Sequence, residues 1–427
     1  MASPYPEGDR EKVTSKLPPA LQRELKIRCA ELGLDIQDAV EAGITAWRTN
    51  TRPIPEIDTS GAKSFSPWLP PGLYDDFRST CNDRSVSYTQ GLAQSIRLWL
   101  DEHPSPENAA QTADPVRIIN ANQKGGVGKT TVSLGMAEAY AEDPDVGRDA
   151  LTRFIDSLAY GDLKRIGKTK TDVQDRLDRV AIGGRRVLVV DYDPQSHLSD
   201  QLGIPQIEPG RESLVSHMIG EAEGDLRDLI VTVDDPRFGR RLDVLPGAFD
   251  GFVLDSRLAL TAAQSRGFQK EAALERALRP IEDDYDVIII DCPPSLGLAM
   301  DAALYYARRR RNERPARSGV LIPVQAEDSS ATAYRMLVDQ IEDLRKDLGL
   351  DIDYLGLVVN QYDARRGFVA TSSLDQWASL EDQRVLAVLD DLKEQREAVR
   401  VKQPLLSYAP HSKQANTMRM IAMEATP

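Results

Sequence analysis

The run Lys124-Gly125-Gly126-Val127-Gly128-Lys129-Thr130-Thr131 brings together what is needed to hold a polyphosphate. Its glycines let the backbone curl with N–H groups pointing inward, and a helix starting at Thr131 adds its positive N-terminal dipole to the same cavity. Lys129 is expected at the β- and γ-phosphates, and the Thr130 hydroxyl in a Mg²⁺ coordination sphere. A carboxylate is placed to complete that sphere through water: Asp291 ends the apolar run Val287-Ile288-Ile289-Ile290. Further carboxylates end the run Val187-Leu188-Val189-Val190, in Asp191-Tyr192-Asp193-Pro194-Gln195. Carboxylates at strand ends beside a phosphate loop can orient an attacking water.

Positioning these groups takes strands that feed into loops. Val116-Arg117-Ile118-Ile119-Asn120 leads straight into the phosphate loop, and Val132 to Glu142 continues as a helix. An unbroken apolar run such as 287–290 is what a strand buried on both faces requires. Alternating strand and helix signals predict an α/β fold, a mostly parallel, doubly wound sheet with its ligand at the strands' C-terminal ends.

The two lysines of Lys-Gly-Gly-x-Gly-Lys-Thr, the Asp191–Gln195 switch and the aspartate-ended strand before Cys292-Pro293-Pro294 resemble, in the same order, the deviant Walker A, switch and Walker B motifs of the ParA/MinD family of ATPases. The resemblance runs over residues 116–425. It implies ATP and Mg²⁺ as cofactors, an ATP-dependent homodimer in which Lys124 acts across the interface, and Asp193 as the residue that positions water. It also implies slow hydrolysis stimulated by a ParB-like or other partner, and non-specific DNA binding. Asn360, at the end of Leu357-Val358-Val359, falls where the family contacts adenine, and Arg396, Arg400 and Lys402 fall near its DNA-binding loop. The family's proline-arginine-asparagine signature is replaced there by Asp390-Asp391-Leu392. Cys292 reads as packing near the switch, with no histidine beside it to support a nucleophile. A reductase of the same superfamily would need cluster-ligating cysteines that have no counterpart here.

Before the ATPase region lies a duplication. Leu17-Pro18-Pro19-Ala20-Leu21 recurs as Leu69-Pro70-Pro71-Gly72-Leu73, and the shift of 52 (69 minus 17) carries Leu25 to Phe77, Cys29 to Cys81, Val40 to Leu92, Ile44 to Ile96 and Trp47 to Trp99. Each copy, 1–52 and 53–104, reads as a short extended segment and two helices, a small mainly helical N-terminal domain. A turn is expected at Gly33, and caps at Asp35 and at Ser87 with Gln90. The pattern resembles the ribbon-helix-helix DNA-binding proteins, with Lys16 on a groove-reading strand. Pro67 argues against a paired strand in the second copy. Residues 10–52 hold eight Lys/Arg against six Asp/Glu, and 62–104 four against five, so two uses stay open, DNA reading and dimerisation or docking.

Residues 1–12 read as a loose tail and 105–115 as a linker before the ATPase domain, 116–427. Within that domain two stretches look inserted. Residues 143–182 read as a solvated helical excursion, with a DNA or partner contact as the alternative. The stretch 307–317 carries Arg308, Arg309, Arg310, Arg311, Arg314 and Arg317, either a DNA-attracting patch or a solvated charged helix end. A net charge of −14 argues against wholesale wrapping by nucleic acid but leaves room for local patches. No apolar run approaches the ~20 residues of a membrane span, and the stretch after Met418 is too short and uncharged for an amphipathic membrane anchor. Three cysteines without metal-pair spacing fit a reducing compartment, so a cytoplasmic protein is expected, and the family resemblance implies association with the nucleoid.

Two functions follow as expectations. One is a DNA-partition ATPase with a plasmid, chromosome or protein assembly as cargo. The other is an ATP-switched transcriptional repressor or positioning adaptor whose duplicated module chooses the target.

Overall fold

A strand whose side chains are apolar in both directions must be covered on both faces. In the computed structural model the residues of the central strands divide accordingly: Ile119, Val190, Ile288 and Ile290 enter one core and Ile118, Val189 and Ile289 the other. The structure describes residues 10–32, 34–50, 54, 57–103, 114–265, 267–311, 313–380 and 383–426. The expected tail before Arg10, the turn at Gly33 and most of the linker, 104–113, lie outside the described residues. The chain forms two units, Met1–Thr112 and Ala113–Pro427.

The first unit contains β1 (Glu11–Lys12), β2 (Ser15–Leu17), α1 (Pro19–Leu32), α2 (Ile36–Thr49), β3 (Lys63–Phe65), β4 (Trp68–Leu69), α3 (Leu73–Asp83) and α4 (Tyr88–Glu102). The two copies are not separate domains. They are halves of one core in which Leu25, Val40, Ile44 and Trp47 pack with Phe77, Leu92, Ile96 and Trp99. Their extended segments pair antiparallel about a two-fold: Glu11 opposes Leu69 and Leu17 opposes Lys63, the same pair seen from each copy, since 63 and 69 are 11 and 17 shifted by 52. Pro67 thus sits inside a paired ribbon. Its carbonyl accepts from Val13 N at 3.0 Å, and its missing N–H is why the ladder breaks into two short pieces there. Alternate residues Lys12, Thr14 and Lys16 face outward while Val13, Ser15 and Leu17 face the core. Both expected caps form, Asp35 accepting from Gln37 N and Ser87 from Gln90 N. Helices α2 and α4 cross closely at Gly43, where a Cβ would lie 2.7 Å from the Ser95 carbonyl. By the 52-residue shift, Ser95 is Gly43's own counterpart.

The second unit is built on β5 (Val116–Asn120), β6 (Val187–Asp191), β7 (Val231–Thr232), β8 (Leu242–Leu245), β9 (Val287–Asp291), β10 (Gly319–Gln325), β11 (Tyr354–Tyr362) and β12 (Val385–Asp390). They form one eight-stranded sheet, β12-β11-β10-β5-β9-β6-β8-β7, parallel except for the edge strand β7. From β5 the chain builds β6 to β9 on one side and then crosses to β10, β11 and β12 on the other, so the loop after β5 occupies a switch point of a doubly wound sheet. Helix α5 (Lys129–Ala141) follows that loop and is buried along most of its length, with Gly135 packed on Met418 of the C-terminal helix Lys413–Ala425.

The stretch 143–182 forms three helices, α6 (Pro144–Ser157), α7 (Tyr160–Lys164) and α8 (Lys170–Arg179). Asp143 caps α6, and Thr169 with Asp172 makes a capping box for α8. The excursion is not merely solvated: Leu151, Phe154, Ile155, Val173 and Leu177 enter the core beside the C-terminal helix.

Candidate nucleotide-binding site

Five strand ends converge on the glycine-rich loop. In register across the sheet stand Asn120, Asp291 and Asp191, the last residues of β5, β9 and β6. Asn120 Nδ2 donates to the Lys129 carbonyl and to Ser133 Oγ, both at 2.8 Å, which ties the first turn of α5 to the strand before the loop. Gly126 and Gly128 take left-handed φ of 75° and 90°, giving the loop its curl. Gly128 is also a close approach: a Cβ there would lie 1.8 Å from Asn360 Nδ2.

Asp291 is buried and accepts from Thr130 Oγ1 at 2.7 Å and from Ser133 Oγ at 2.9 Å. Burial, reinforced by the neighbouring charge of Asp191, pushes its carboxyl up to about 7 against the pull of both hydroxyls and Lys129. Asp191 is likewise pushed up to about 6, mainly by burial, although Ser199 N and Oγ both bond its Oδ2 at 2.9 and 2.6 Å. Its Oδ1 is buried without a hydrogen-bond partner among the described residues. Lys129 is buried too, which lowers its ammonium while Asp291 and Asp193 act to raise it; Nζ donates to the Lys124 carbonyl at 3.2 Å. Asp193 is half-buried and accepts from Gln195 N at 2.9 Å. Cys292 is buried, and burial holds its thiol well above the ordinary range, as packing and not nucleophilic use requires.

The donor set fits a magnesium nucleotide. Thr130 and Asp291 lie within hydrogen-bond distance of each other, the orphaned Asp191 Oδ1 is beside them, and the loop's N–H groups stand at a helix N-terminus. Among the described residues no group of three or more His, Cys, Asp or Glu could hold a metal by itself. An ion here would be shared among the Thr130 hydroxyl, water and the ligand's own oxygens.

Three residues not singled out from the sequence also grip the loop. Gln325 Nε2 and Gln361 Nε2 both donate to the Gly126 carbonyl at 3.2 Å, and Glu327 pairs with Lys124 Nζ, which also donates to Ser329 Oγ at 2.7 Å. Gln361 does so from a left-handed backbone, φ 53°. The one available signal was position, since each lies at or just beyond the end of an apolar strand. Asn360, expected at the adenine, is buried, and its Nδ2 donates to the Val127 carbonyl at 3.0 Å.

Of the arginines read as a DNA patch or a solvated helix end, Arg308, Arg309 and Arg310 are occupied. Arg308 pairs with Glu275 at 2.8 Å, Arg309 with Asp353 at 2.6 Å, and Arg310 with Glu275 at 2.8 Å and Glu282 at 2.7 Å. Buried Arg117 of β5 joins this network through Glu313. With carboxylates already on them these guanidinium groups are structural, not a free cationic face. Near the C-terminus Arg396 pairs with Asp391 and Lys402 with Asp200 at 2.8 Å, while Arg400 is exposed. Lys16 is exposed in the other unit. No helix among the described residues is long and apolar enough to cross a membrane.

A family profile described as an AAA domain matches residues 165–354, which takes in the strands ending at Asp191 and Asp291. An uncharacterised protein of Mycobacterium tuberculosis is 28% identical over 262 residues, 61% of this chain, and the match spans 63% of that relative's length. An uncharacterised protein of Pseudomonas putida is 31% identical over 57% of this chain and 69% of its own. The chromosome partitioning protein ParA of Caulobacter vibrioides is 28% identical over 70% of this chain and 89% of its own. Among solved structures, McdA of Cyanothece in complex with ATP covers 73% of this chain and 96% of its own at 16% identity, with a TM-score of 0.51, a likeness of fold alone.

Proposed function

The chain belongs to the ParA/MinD family of P-loop ATPases, and we propose that it is a partition or positioning ATPase that pairs with a second copy on ATP, binds DNA, and is released by hydrolysis that a ParB-like or other partner stimulates. The observation that carries this reading is the opposite placement of the loop's two lysines. Lys129 is turned into the loop, onto the Lys124 carbonyl, whereas the Lys124 ammonium is turned out of it, onto Glu327 and Ser329. The inner lysine serves the chain's own phosphates, and the outer one, once it leaves Glu327, serves a second copy.

ATP supplies the phosphoanhydride bond and Mg²⁺ the charge that offsets its phosphates. This chain's part is positional. Residues Gly125 to Thr131 bind phosphate, Thr130 with Asp291 behind it holds the metal and its water, and Asp193 orients the attacking water. A nucleoid-associated location in the cytoplasm accords with this role.

Co-sedimentation of the whole protein with DNA in ATP, ADP or no nucleotide tests the switch. Retention on DNA is expected to be greatest with ATP and to lose that dependence in Lys129→Ala; equal retention in all three states contradicts the reading.

A second reading, an ATP-switched repressor or adaptor, is favoured by one observation: the duplicated segments complete a paired ribbon within one chain, with Lys12, Thr14 and Lys16 outward. It calls for sequence-specific retention of the DNA flanking its own gene that is lost on replacing Lys12 and Lys16 by alanine.

A further inference from the structure

The two inserted stretches, far apart in sequence, meet in space. Lys168, Arg176 and Arg179 from the first, Arg314 from the second, and Arg384 line one cleft of about 450 Å³. Arg314 lies just before β10 and Arg384 just before β12, so the cleft opens at the N-terminal ends of the parallel strands. The phosphate loop, Asp191 and Asp291 stand at the opposite, C-terminal ends.

Some of these cations have work within the fold. Arg176 and Arg384 donate to the carbonyls of Met423 at 3.3 Å and Glu424 at 2.9 Å, capping the C-terminal helix, and Lys168 pairs with Glu424. Others do not. Arg314 is exposed and makes no side-chain ion pair or hydrogen bond among the described residues, and the Arg179 side chain is 75% exposed with Asp175 only at 3.6 Å. Buried atoms here are also unsatisfied: Arg176 Nε and Glu424 Oε1 have no partner among the described residues. The wall carries three carboxylates, Asp172, Asp175 and Glu424, against five cations, an excess of positive charge in a chain of net charge −14.

Four of the five cations are arginines, whose planar forks match phosphate oxygens better than an ammonium does. The cleft is open, as a chain of linked phosphates passing through requires. We propose that it binds the phosphate backbone of DNA: each copy carries the cleft in every nucleotide state, because no residue of the phosphate loop takes part, and ATP raises retention by pairing two copies and so two clefts. This rests on the DNA-binding part of the function proposed above and moves the contact away from Arg308, Arg309 and Arg310, which carboxylates occupy.

The test is the salt dependence of binding by the full-length protein to a non-specific DNA duplex, comparing wild type with Arg179→Ala/Arg314→Ala and with Arg179→Lys/Arg314→Lys. Each phosphate neutralised contributes about 0.9 to the slope of log K against log salt. The alanine variant is expected to lower that slope by about 2 per copy of the chain and affinity at low salt by roughly tenfold or more, in each nucleotide state. The lysine variant should keep the slope, and ATP hydrolysis without DNA should be the same in all three. A wild-type slope in the alanine variant overturns the cleft and leaves the switch standing; no DNA binding by wild type in any nucleotide state overturns both. Displacement of the DNA by millimolar inorganic phosphate at constant ionic strength also overturns it, marking a small-anion site.

Discussion

Gly128 carries two demands that no other residue meets. Its φ of 90° is strained for any side chain, and a Cβ would collide with Asn360 Nδ2 at 1.8 Å. Because Asn360 holds the Val127 carbonyl, the collision would push apart the loop and β11 at their point of attachment. Gly128→Ala is therefore expected to weaken nucleotide binding at least tenfold, about 1.4 kcal/mol or more. Adding Asn360→Ala should restore only part, because the clash goes and the backbone strain stays. Titration with a fluorescent nucleotide reads both; a wild-type dissociation constant for Gly128→Ala would contradict the account.

At the scale of elements, the joint between α5 and the segment Leu405–Tyr408 is made by one carboxyl. Glu138 is fully buried and accepts from Leu405 N at 3.2 Å and Leu406 N at 2.8 Å. Burial pushes it up to about 8, though both backbone bonds pull the other way. Between its ordinary value of 4.5 and about 8 the folded chain keeps a proton that the unfolded chain has lost. The stabilisation is thus complete below the lower value and is lost as pH rises through the upper one. Wild type is expected to lose up to about 1.4 kcal/mol per pH unit more than Glu138→Gln across that window. Urea unfolding from pH 5 to 8 measures the difference, and parallel curves would contradict it. Elements of this kind differ in how far the sequence discloses them. The strands ending at Asp191 and Asp291 are legible because an unbroken apolar run closed by one acid has few other uses. The grip of Gln325, Gln361 and Glu327 on the loop is not, since it depends on where three strand ends meet. The arginine run misleads for the same reason: the carboxylates that occupy Arg309 and Arg310 lie 28 residues or more away in sequence. Pro67 misleads differently, because a proline costs one ladder bond and leaves its carbonyl free to accept.

For the whole molecule, the alternation of strands and helices predicts the mostly parallel doubly wound sheet that is observed, and the 52-residue repeat predicts two similar halves. That the halves close on each other within one chain comes from packing, since the same ribbon could pair within or between chains. The central claim is that the loop's outer lysine makes ATP a signal for association. Sedimentation velocity of the full-length protein and of Lys124→Ala, each without nucleotide, with ADP and with a non-hydrolysable ATP analogue, tests it most directly. The account predicts that only wild type with the analogue doubles its mass, while Lys124→Ala still binds the analogue and stays a monomer; equal masses for the two proteins in every state would contradict it.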